Sequence, residues 1–259
     1  MKRKVPLILL CLAFLGIAMY FGLQFYREQN EYRKGTETYE ELAQYVHIGE
    51  ASDSDMKTAE ADKAPVSAEK TDDTVWPVVD FEKLQAINPD IVAWIFIEGT
   101  NINYPVVQAD DNSRYLNRLF DGTVNSAGTI FMDYRNEAEL SDRNTVLYGH
   151  NMKNGTMFHQ VTDYMDQEFF NEHPVCLIVT PEGNYKLEFF AGYVTNMNSD
   201  AWKLEFESDE EFGLWLENAV SKSTFNGNVQ PTAQDRVVTF STCTYEYNDA
   251  RYVLLGVIS

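Results

Sequence analysis

Basic residues are scarce in this sequence: 20 Lys and Arg stand against 40 Asp and Glu, for a formal net charge of −20. Nucleic-acid binding depends on clustered Lys and Arg that neutralise phosphates, so this balance argues against that class of partner. Cysteine is scarcer still, at three in 259 residues. The sequence also lacks CxxC pairs, Cys/His metal-ligand spacing and internal repeats, so we expect neither a structural zinc site nor a solenoid.

Charge is missing altogether from residues 5–25, which follow three basic residues. A helix needs roughly 20 apolar residues to cross a bilayer. There are two alternatives. One is a cleaved signal peptide, for which Gly16-Ile17-Ala18 is a weak candidate cleavage site; the other is a buried core helix. We predict a retained single-pass anchor over residues 5–25 with a cytoplasmic tail over residues 1–4. Basic residues before the run favour this orientation, which places the remaining chain on the outer face of the cell membrane.

Aromatic residues are missing from residues 49–74, which are rich in Asp, Glu, Ala, Ser and Lys. Such a composition buries too little apolar surface to become ordered, which indicates a flexible acidic linker. The preceding stretch has apolar residues at helical spacing, so residues 26–74 are predicted to form a juxtamembrane helix followed by this linker. The folded domain is then expected over residues 75–259.

The remaining sequence has the pattern of a mostly β domain with appended helices. Asp80 caps a short helix, residues 157–164 and 166–172 suggest two more, and residues 209–221 form an amphipathic one. β-branched and aromatic runs bounded by turn residues predict about eight strands: residues 91–97, 102–108, 128–132, 145–148, 175–180 and 185–195, with two more at the end of the chain. Without regular βα alternation, the pattern favours a mostly antiparallel barrel or sandwich.

The last two predicted strands place Cys243 where one ends and Arg251 where the next begins. A nearby cation favours the thiolate, which is the attacking form of cysteine, so Cys243 is a candidate nucleophile. Cys176 lies in an apolar run and is expected to be a buried small side chain, although one disulfide between the two cysteines stays open.

A nucleophilic thiol needs a base, and the chain contains four histidines. His47, His159 and His173 are expected to be solvated or packed. His150 instead follows an apolar strand and Gly149, at the start of a loop. Histidine exchanges protons near neutral pH, so His150 is the best candidate for the partner of Cys243.

These residues lie in stretches that resemble the sortases, class B in particular. The stretches around the histidine and the cysteine are Tyr148-Gly149-His150-Asn151-Met152-Lys153-Asn154-Gly155-Thr156-Met157-Phe158 and Thr239-Phe240-Ser241-Thr242-Cys243. Asn88-Pro89-Asp90-Ile91-Val92-Ala93-Trp94 and Tyr104-Pro105-Val106-Val107-Gln108 resemble other parts of that class. Phe240 replaces the leucine that is usual in the cysteine motif, an apolar exchange that affects packing more than chemistry. The resemblance covers residues 75–259.

The resemblance implies an eight-stranded β-barrel with N-terminal helices and a helix in the long loop over residues 198–235, before the penultimate strand. Sortases are extracytoplasmic cysteine transpeptidases of Gram-positive bacteria. They cleave a C-terminal sorting signal of a secreted protein after its threonine and join the acyl end to a peptidoglycan amine. The expected partners are therefore sorting-signal proteins, a peptidoglycan precursor amine and the membrane, with no cofactor or metal.

The resemblance also implies roles for individual residues. Cys243 is the nucleophile, His150 the general acid and base, and Arg251 the residue that stabilises the oxyanion. Ser241 and Thr242 are expected to line the substrate groove, the alternative being that their hydroxyls only satisfy backbone groups. Two other functions stay open: a thiol hydrolase that cleaves without transfer, and a membrane-tethered binding module with an inactive site.

Overall fold

The computed structural model describes residues 4–48 and 74–259. The predicted linker over residues 49–74 thus lies outside the described residues except for Thr74, as does most of the predicted cytoplasmic tail. The helices are α1 (Lys4–Leu42), α2 (Phe81–Ile87), α3 (Gln167–Glu172) and α4 (Asp209–Lys222), with short 3₁₀ segments at Ala43–Tyr45, Arg114–Asn117, His159–Met165 and Asp200–Trp202.

Eight strands form a closed barrel: β3 (Ile91–Phe96), β4 (Asn103–Val107), β5 (Ile130–Met132), β6 (Asn144–Tyr148), β7 (Val175–Val179), β8 (Asn184–Asn196), β9 (Val237–Cys243) and β10 (Ala250–Ile258). Around the barrel the order is β10, β8, β7, β3, β4, β5, β6 and β9. The pairs β4/β5 and β6/β9 are parallel and the others antiparallel. Closure leaves no free edge on the sheet. The predicted eight-stranded barrel is confirmed.

The barrel core and the outer helix α4 use opposite faces of the last strands, because successive strand residues point to opposite sides. Leu254 packs inside the barrel with Phe240, whereas Val253 packs outside against α4. On α4, Phe212, Trp215, Leu216 and Ala219 are buried against this outer surface. The amphipathic helix predicted over residues 209–221 is therefore present and secures the long insertion before β9.

The second half of α1 packs against the barrel. Tyr39 and Leu42 are buried in the main core, and Val46 of β1 (Val46–His47) pairs with Val79 of β2 (Val78–Val79). These apolar side chains gain burial only by docking, so the packed unit includes residues upstream of the linker as well as those after residue 75.

The first half of α1 runs through the charge-free segment of the sequence. Its large apolar side chains, such as Phe14, Leu15 and Phe21, are exposed. Within the part of the chain that the structure describes, no helix combines the length and the apolar character that crossing a bilayer requires. The anchor over residues 5–25 therefore stays a prediction.

Candidate active site

Cys243 and Arg251 are cross-strand neighbours. β9 and β10 pair in antiparallel register with Cys243 directly opposite Arg251. Directly opposite residues point to the same face with Cβ atoms roughly 4.5–5.5 Å apart, so thiol and guanidinium share one side of the sheet. The intervening loop is closed by a hydrogen bond from the Thr244 amide to the Ala250 carbonyl at 3.1 Å, while Asp249 takes a positive φ of 60°.

The parallel pairing of β6 with β9 brings His150 to the same end of the barrel. Tyr148 lies opposite Ser241, and the Gly149 amide donates to the Ser241 carbonyl at 3.1 Å. A Cβ on Gly149 would lie 2.6 Å from Phe158 atoms and 2.5 Å from Ile130, so this close approach requires glycine. The chain therefore leaves β6 beside the strand that ends in Cys243.

The imidazole of His150 is held by a backbone carbonyl. Its Nε2 lies 2.6 Å from the Leu116 oxygen. A carbonyl only accepts, so Nε2 carries a proton and Nδ1 is the nitrogen left for proton exchange. Over the described ranges, His150 makes no hydrogen bond with Cys243. Catalytic contacts of this kind are often long before substrate binds.

Arg251 has no acidic partner among the residues that the structure describes. Its Nη1 donates to the Ala250 carbonyl at 3.0 Å, and Nη2 lies 3.6 Å from Met197 Sδ. Among residues 4–48 and 74–259, no carboxylate lies within ion-pair distance of it. Glu246 and Asp249, the nearest acids in sequence, are exposed. The guanidinium therefore keeps its donors and its charge for an incoming anion.

Thiol, imidazole and guanidinium line one open cavity of about 710 Å³. Its walls include Leu116, Thr129, Phe131, Arg135, Tyr148, Met197, Trp202, Lys203, Ser241 and Thr242. A nucleophile, an acid or base and a fixed cation beside a cavity of this size suit acyl transfer on an extended peptide.

Cys176 takes no part in this site. Cys176 is fully buried on β7, and both it and Cys243 are free, so the disulfide left open by the sequence is not formed. Burial raises the pKa of the Cys176 thiol. Cys176 is therefore a protonated small core residue, and Cys243 is the thiol that faces the cavity.

Ser241 and Thr242 both line the cavity, yet both hydroxyls already have partners. Ser241 Oγ accepts from Trp202 Nε1 at 3.1 Å, and Thr242 Oγ1 donates to the Gly149 carbonyl at 2.8 Å. Thr242 thus ties β9 to the residue before His150. A role for either residue in substrate binding stays a prediction.

Asn151 is a site residue that sequence reasoning did not identify. Its Nδ2 donates to the Cys243 carbonyl at 2.9 Å, and its Oδ1 lies 2.7 Å from His159 Nδ1. The Cys243–Thr244 peptide unit is thus held at its oxygen by Asn151 and at its nitrogen by Ala250. Its position next to His150 was the only signal in the sequence, because the carbonyl that it binds belongs to a distant strand.

Asn144 is a second unpredicted contributor, since it attaches the long insertion to the barrel. Its buried amide donates to the Lys203 carbonyl at 2.9 Å and accepts from Thr239 Oγ1 at 2.7 Å. This places the segment containing Trp202 over β9. The insertion over residues 198–235 therefore supplies part of the cavity wall.

A buried carboxylate supports another wall of the cavity. Asp133 accepts from Arg135 Nε and Nη2, both at 2.9 Å, from Tyr148 Oη at 3.0 Å and from Asn112 Nδ2 at 3.0 Å. Burial acts to raise the pKa of Asp133, but these hydrogen bonds and one from the Arg135 amide outweigh it and lower that pKa. The charged carboxylate therefore fixes the orientation of Arg135 and Tyr148 at the cavity.

Asp133→Asn is expected to lower the free energy of unfolding at pH 7 by about 1–3 kcal/mol, because charge-assisted hydrogen bonds are lost. The carboxyl has a lower pKa in the folded protein than in the unfolded chain, where the pKa is about 3.9. It therefore stabilises the fold fully at pH values above the unfolded-state pKa, and this contribution is lost as the pH falls through the folded-state pKa. The difference from wild type should therefore shrink between pH 7 and pH 3 in urea titrations. A difference that is equal at both pH values would contradict this account.

Comparisons with known proteins find similarity over the barrel and beyond it. The family model described as the sortase domain matches residues 95–258. Sortase B of Listeria monocytogenes is 33% identical over 249 residues, which cover 95% of this chain and 94% of that protein. The Staphylococcus aureus sortase B–substrate complex superposes with a TM-score of 0.66 at 38% identity, covering 69% of this chain and 84% of that one.

A solved sortase B complexed with triglycine superposes equally well, with a TM-score of 0.66 at 38% identity, over 69% of this chain and 85% of that one. The family match spans nearly the whole barrel, from within β3 to β10, including the ends of β6, β9 and β10 that carry the site. The chain therefore belongs to the sortase family, as a class B enzyme of the cysteine transpeptidase type.

Proposed function

We propose that this sortase is anchored in the cell membrane and cleaves a C-terminal sorting signal of secreted proteins after its threonine. It then joins the acyl end to a peptidoglycan amine. The observation that carries the proposal is the register that sets Cys243 opposite Arg251, with His150 on the same cavity. The complexes of solved sortases B with a substrate and with triglycine support a peptide donor and a glycine amine acceptor.

In the acylation step, the Cys243 thiolate attacks the carbonyl carbon of the signal's threonine. The carbonyl oxygen becomes an oxyanion, and the Arg251 guanidinium donates to it. The Thr244 amide already donates to the Ala250 carbonyl, whereas the Arg251 guanidinium lies directly across the strand pair from the thiol and carries further N–H donors. Protonated His150 then gives its Nδ1 proton to the leaving amine, the C–N bond breaks, and a thioester remains.

In the transfer step, the roles of His150 reverse. Neutral His150 accepts a proton at Nδ1 from the incoming amine, whose nitrogen attacks the thioester carbonyl. The second oxyanion collapses, the C–S bond breaks, and Cys243 leaves as a thiolate. Arg251 stabilises both oxyanions, since the carbonyl occupies the same place in each step.

The test uses the full chain in detergent micelles with a library of sorting-signal peptides, with and without triglycine. We expect an added acyl mass on Cys243 without triglycine, and a peptide–triglycine product when it is added. Hydrolysed peptide alone, even at high triglycine, would favour the hydrolase alternative. No adduct with any peptide, while Cys243 is shown to be reduced, would favour the inactive binding module and overturn the proposal.

Membrane anchoring is part of the proposal and rests on the sequence of residues 5–25. That stretch carries no charge, lies on α1 and exposes Phe14, Leu15 and Phe21 to its surroundings. A contiguous exposed apolar surface marks contact with a membrane or a protein. Anchored protein should stay in the membrane pellet after alkaline carbonate washing, and release of the intact chain by that wash would contradict the anchor.

A further inference from the structure

The Leu116 carbonyl that holds His150 lies on the 3₁₀ segment Arg114–Asn117. The Leu116 amide donates a long hydrogen bond, 3.3 Å, to the carbonyl of Ser113, the residue that precedes the segment. Asp111 stabilises the start of the segment, because its Oδ1 accepts hydrogen bonds from the Ser113 and Arg114 amides at 2.7 and 2.9 Å. A segment this short has little rigidity of its own, so the position of its carbonyl depends on what packs against it.

Residues 125–129 pack against the segment Arg114–Asn117. The Thr129 amide donates to the Tyr115 carbonyl at 3.0 Å, and the Asn125 amide donates to the Asn117 carbonyl at 3.0 Å. Gly128 approaches so closely that a Cβ would lie 2.8 Å from the Leu116 oxygen, and its φ is +62°. A shift of residues 125–129 would therefore displace the carbonyl that holds His150.

Helix α1 holds residues 125–129 in turn. Tyr39 is 7% exposed, donates to the Gly128 carbonyl at 2.5 Å, and has its oxygen 3.0 Å from Thr129 Oγ1. One turn earlier, a Cβ on Gly35 would lie 3.3 Å from Ala127. Two turns earlier, the Glu31 carbonyl accepts from Asn125 Nδ2 at 2.9 Å. The end of α1 thus contacts the loop at three levels.

We propose that Tyr39 is a positioning residue for His150. Its hydroxyl fixes the Gly128 carbonyl, residues 125–129 fix the Arg114–Asn117 segment, and the Leu116 carbonyl fixes the tautomer and orientation of the imidazole. The helix that continues from the predicted anchor is in this way coupled to the acid and base of the reaction. The inference rests on the proposed role of His150.

The test compares Tyr39→Phe with wild type, using the full chain in detergent micelles. Phenylalanine keeps the ring and its edge-to-face contact with Tyr104 and removes only the hydroxyl. We expect kcat of transpeptidation to fall about tenfold with KM unchanged, because small displacements of a catalytic group cost rate rather than binding. Imidazole nitrogen NMR shifts should show His150 changing from the Nε2–H form to a mixture of tautomers.

Tyr32→Phe is the matched control. Tyr32 lies on the same helix, and its hydroxyl donates to Glu28 of that helix at 2.9 Å. We expect wild-type kcat and a wild-type His150 tautomer for this variant. If Tyr32→Phe lowers kcat as much as Tyr39→Phe does, the proposal is overturned, since any weakening of α1 would then be enough to lower kcat.

The NMR measurement separates this proposal from the proposed function. Without turnover in the wild-type protein the proposed function fails, yet a tautomer change in Tyr39→Phe alone still supports the coupling. If Tyr39→Phe has wild-type kcat and the wild-type His150 tautomer, the coupling of Tyr39 to His150 is overturned, whereas the proposed transpeptidase function is unaffected. Lower kcat with an unchanged tautomer also overturns it, because the loss would then have another origin.

Discussion

Cys243→Ala is expected to abolish the thioester and to reduce transpeptidation by about 10⁵–10⁶-fold, the loss typical of removing an enzyme nucleophile. The Ser241 and Thr242 hydroxyls in the cavity are weaker nucleophiles that already have hydrogen-bond partners, and the Lys203 ammonium is paired with Glu211, so none of them replaces the thiol. Because Cys243 is the last residue of β9 and only half buried, alanine should leave the barrel intact. Initial rates of peptide–triglycine formation, together with intact mass after incubation with peptide, measure both effects.

Cys176→Ala is the matched control for that substitution. Cys176 is fully buried on β7, and burial raises the pKa of its thiol, so it does not compete as a nucleophile. We expect wild-type turnover and the full adduct on Cys243 in this variant. A thioester that persists in Cys243→Ala, or that disappears in Cys176→Ala, would contradict the assignment of the nucleophile.

Arg251→Lys is expected to lower kcat by about 10²–10³-fold with little change in KM, the loss typical of removing one oxyanion donor. Lysine keeps the positive charge but replaces a planar fork by a single mobile ammonium group. In the folded chain the guanidinium is steadied by the Ala250 carbonyl and Met197, contacts that ammonium does not reproduce in the same geometry. Since the oxyanion exists only after attack, the loss should appear in kcat.

Arg236→Lys provides the control for the arginine substitution. Arg236 precedes β9, donates to the Leu140 carbonyl at 2.9 Å and lies over the Tyr185 ring, away from the cavity. Steady-state kinetics should return wild-type kcat and KM for this variant. If Arg251→Lys instead raises KM at constant kcat, Arg251 binds the ground-state peptide and the oxyanion role is wrong.

Much of the barrel was predictable because strand signals are local. Runs of β-branched and aromatic residues bounded by turn residues located the strands, and α4 followed from the spacing of Phe212, Trp215 and Leu216. Cys243 and His150 became candidates because they stand where such runs end, and Arg251 because it stands where one begins. Closure of the barrel, by contrast, depends on pairing between strands far apart in sequence, such as β8 with β10, which no local pattern specifies.

The support of the site was not predictable, since it consists largely of backbone atoms. The Leu116 carbonyl at His150 and the Cys243 carbonyl at Asn151 carry no residue identity that a sequence pattern can reveal. The docking of α1 was missed for a related reason. Its buried face holds few apolar residues beyond Tyr39 and Leu42, so composition alone suggested a helix separate from the domain.

The sequence by itself indicated most of the barrel strands, helix α4, the sortase family and three candidate reactive groups at Cys243, His150 and Arg251, because strand propensity and short motifs are properties of neighbouring residues. The tertiary structure decided the register that sets Cys243 opposite Arg251 and the contacts that carry α1 to His150. Those features arise from close packing between distant segments, where the distance of one carbonyl oxygen from a neighbour decides whether a hydrogen bond forms.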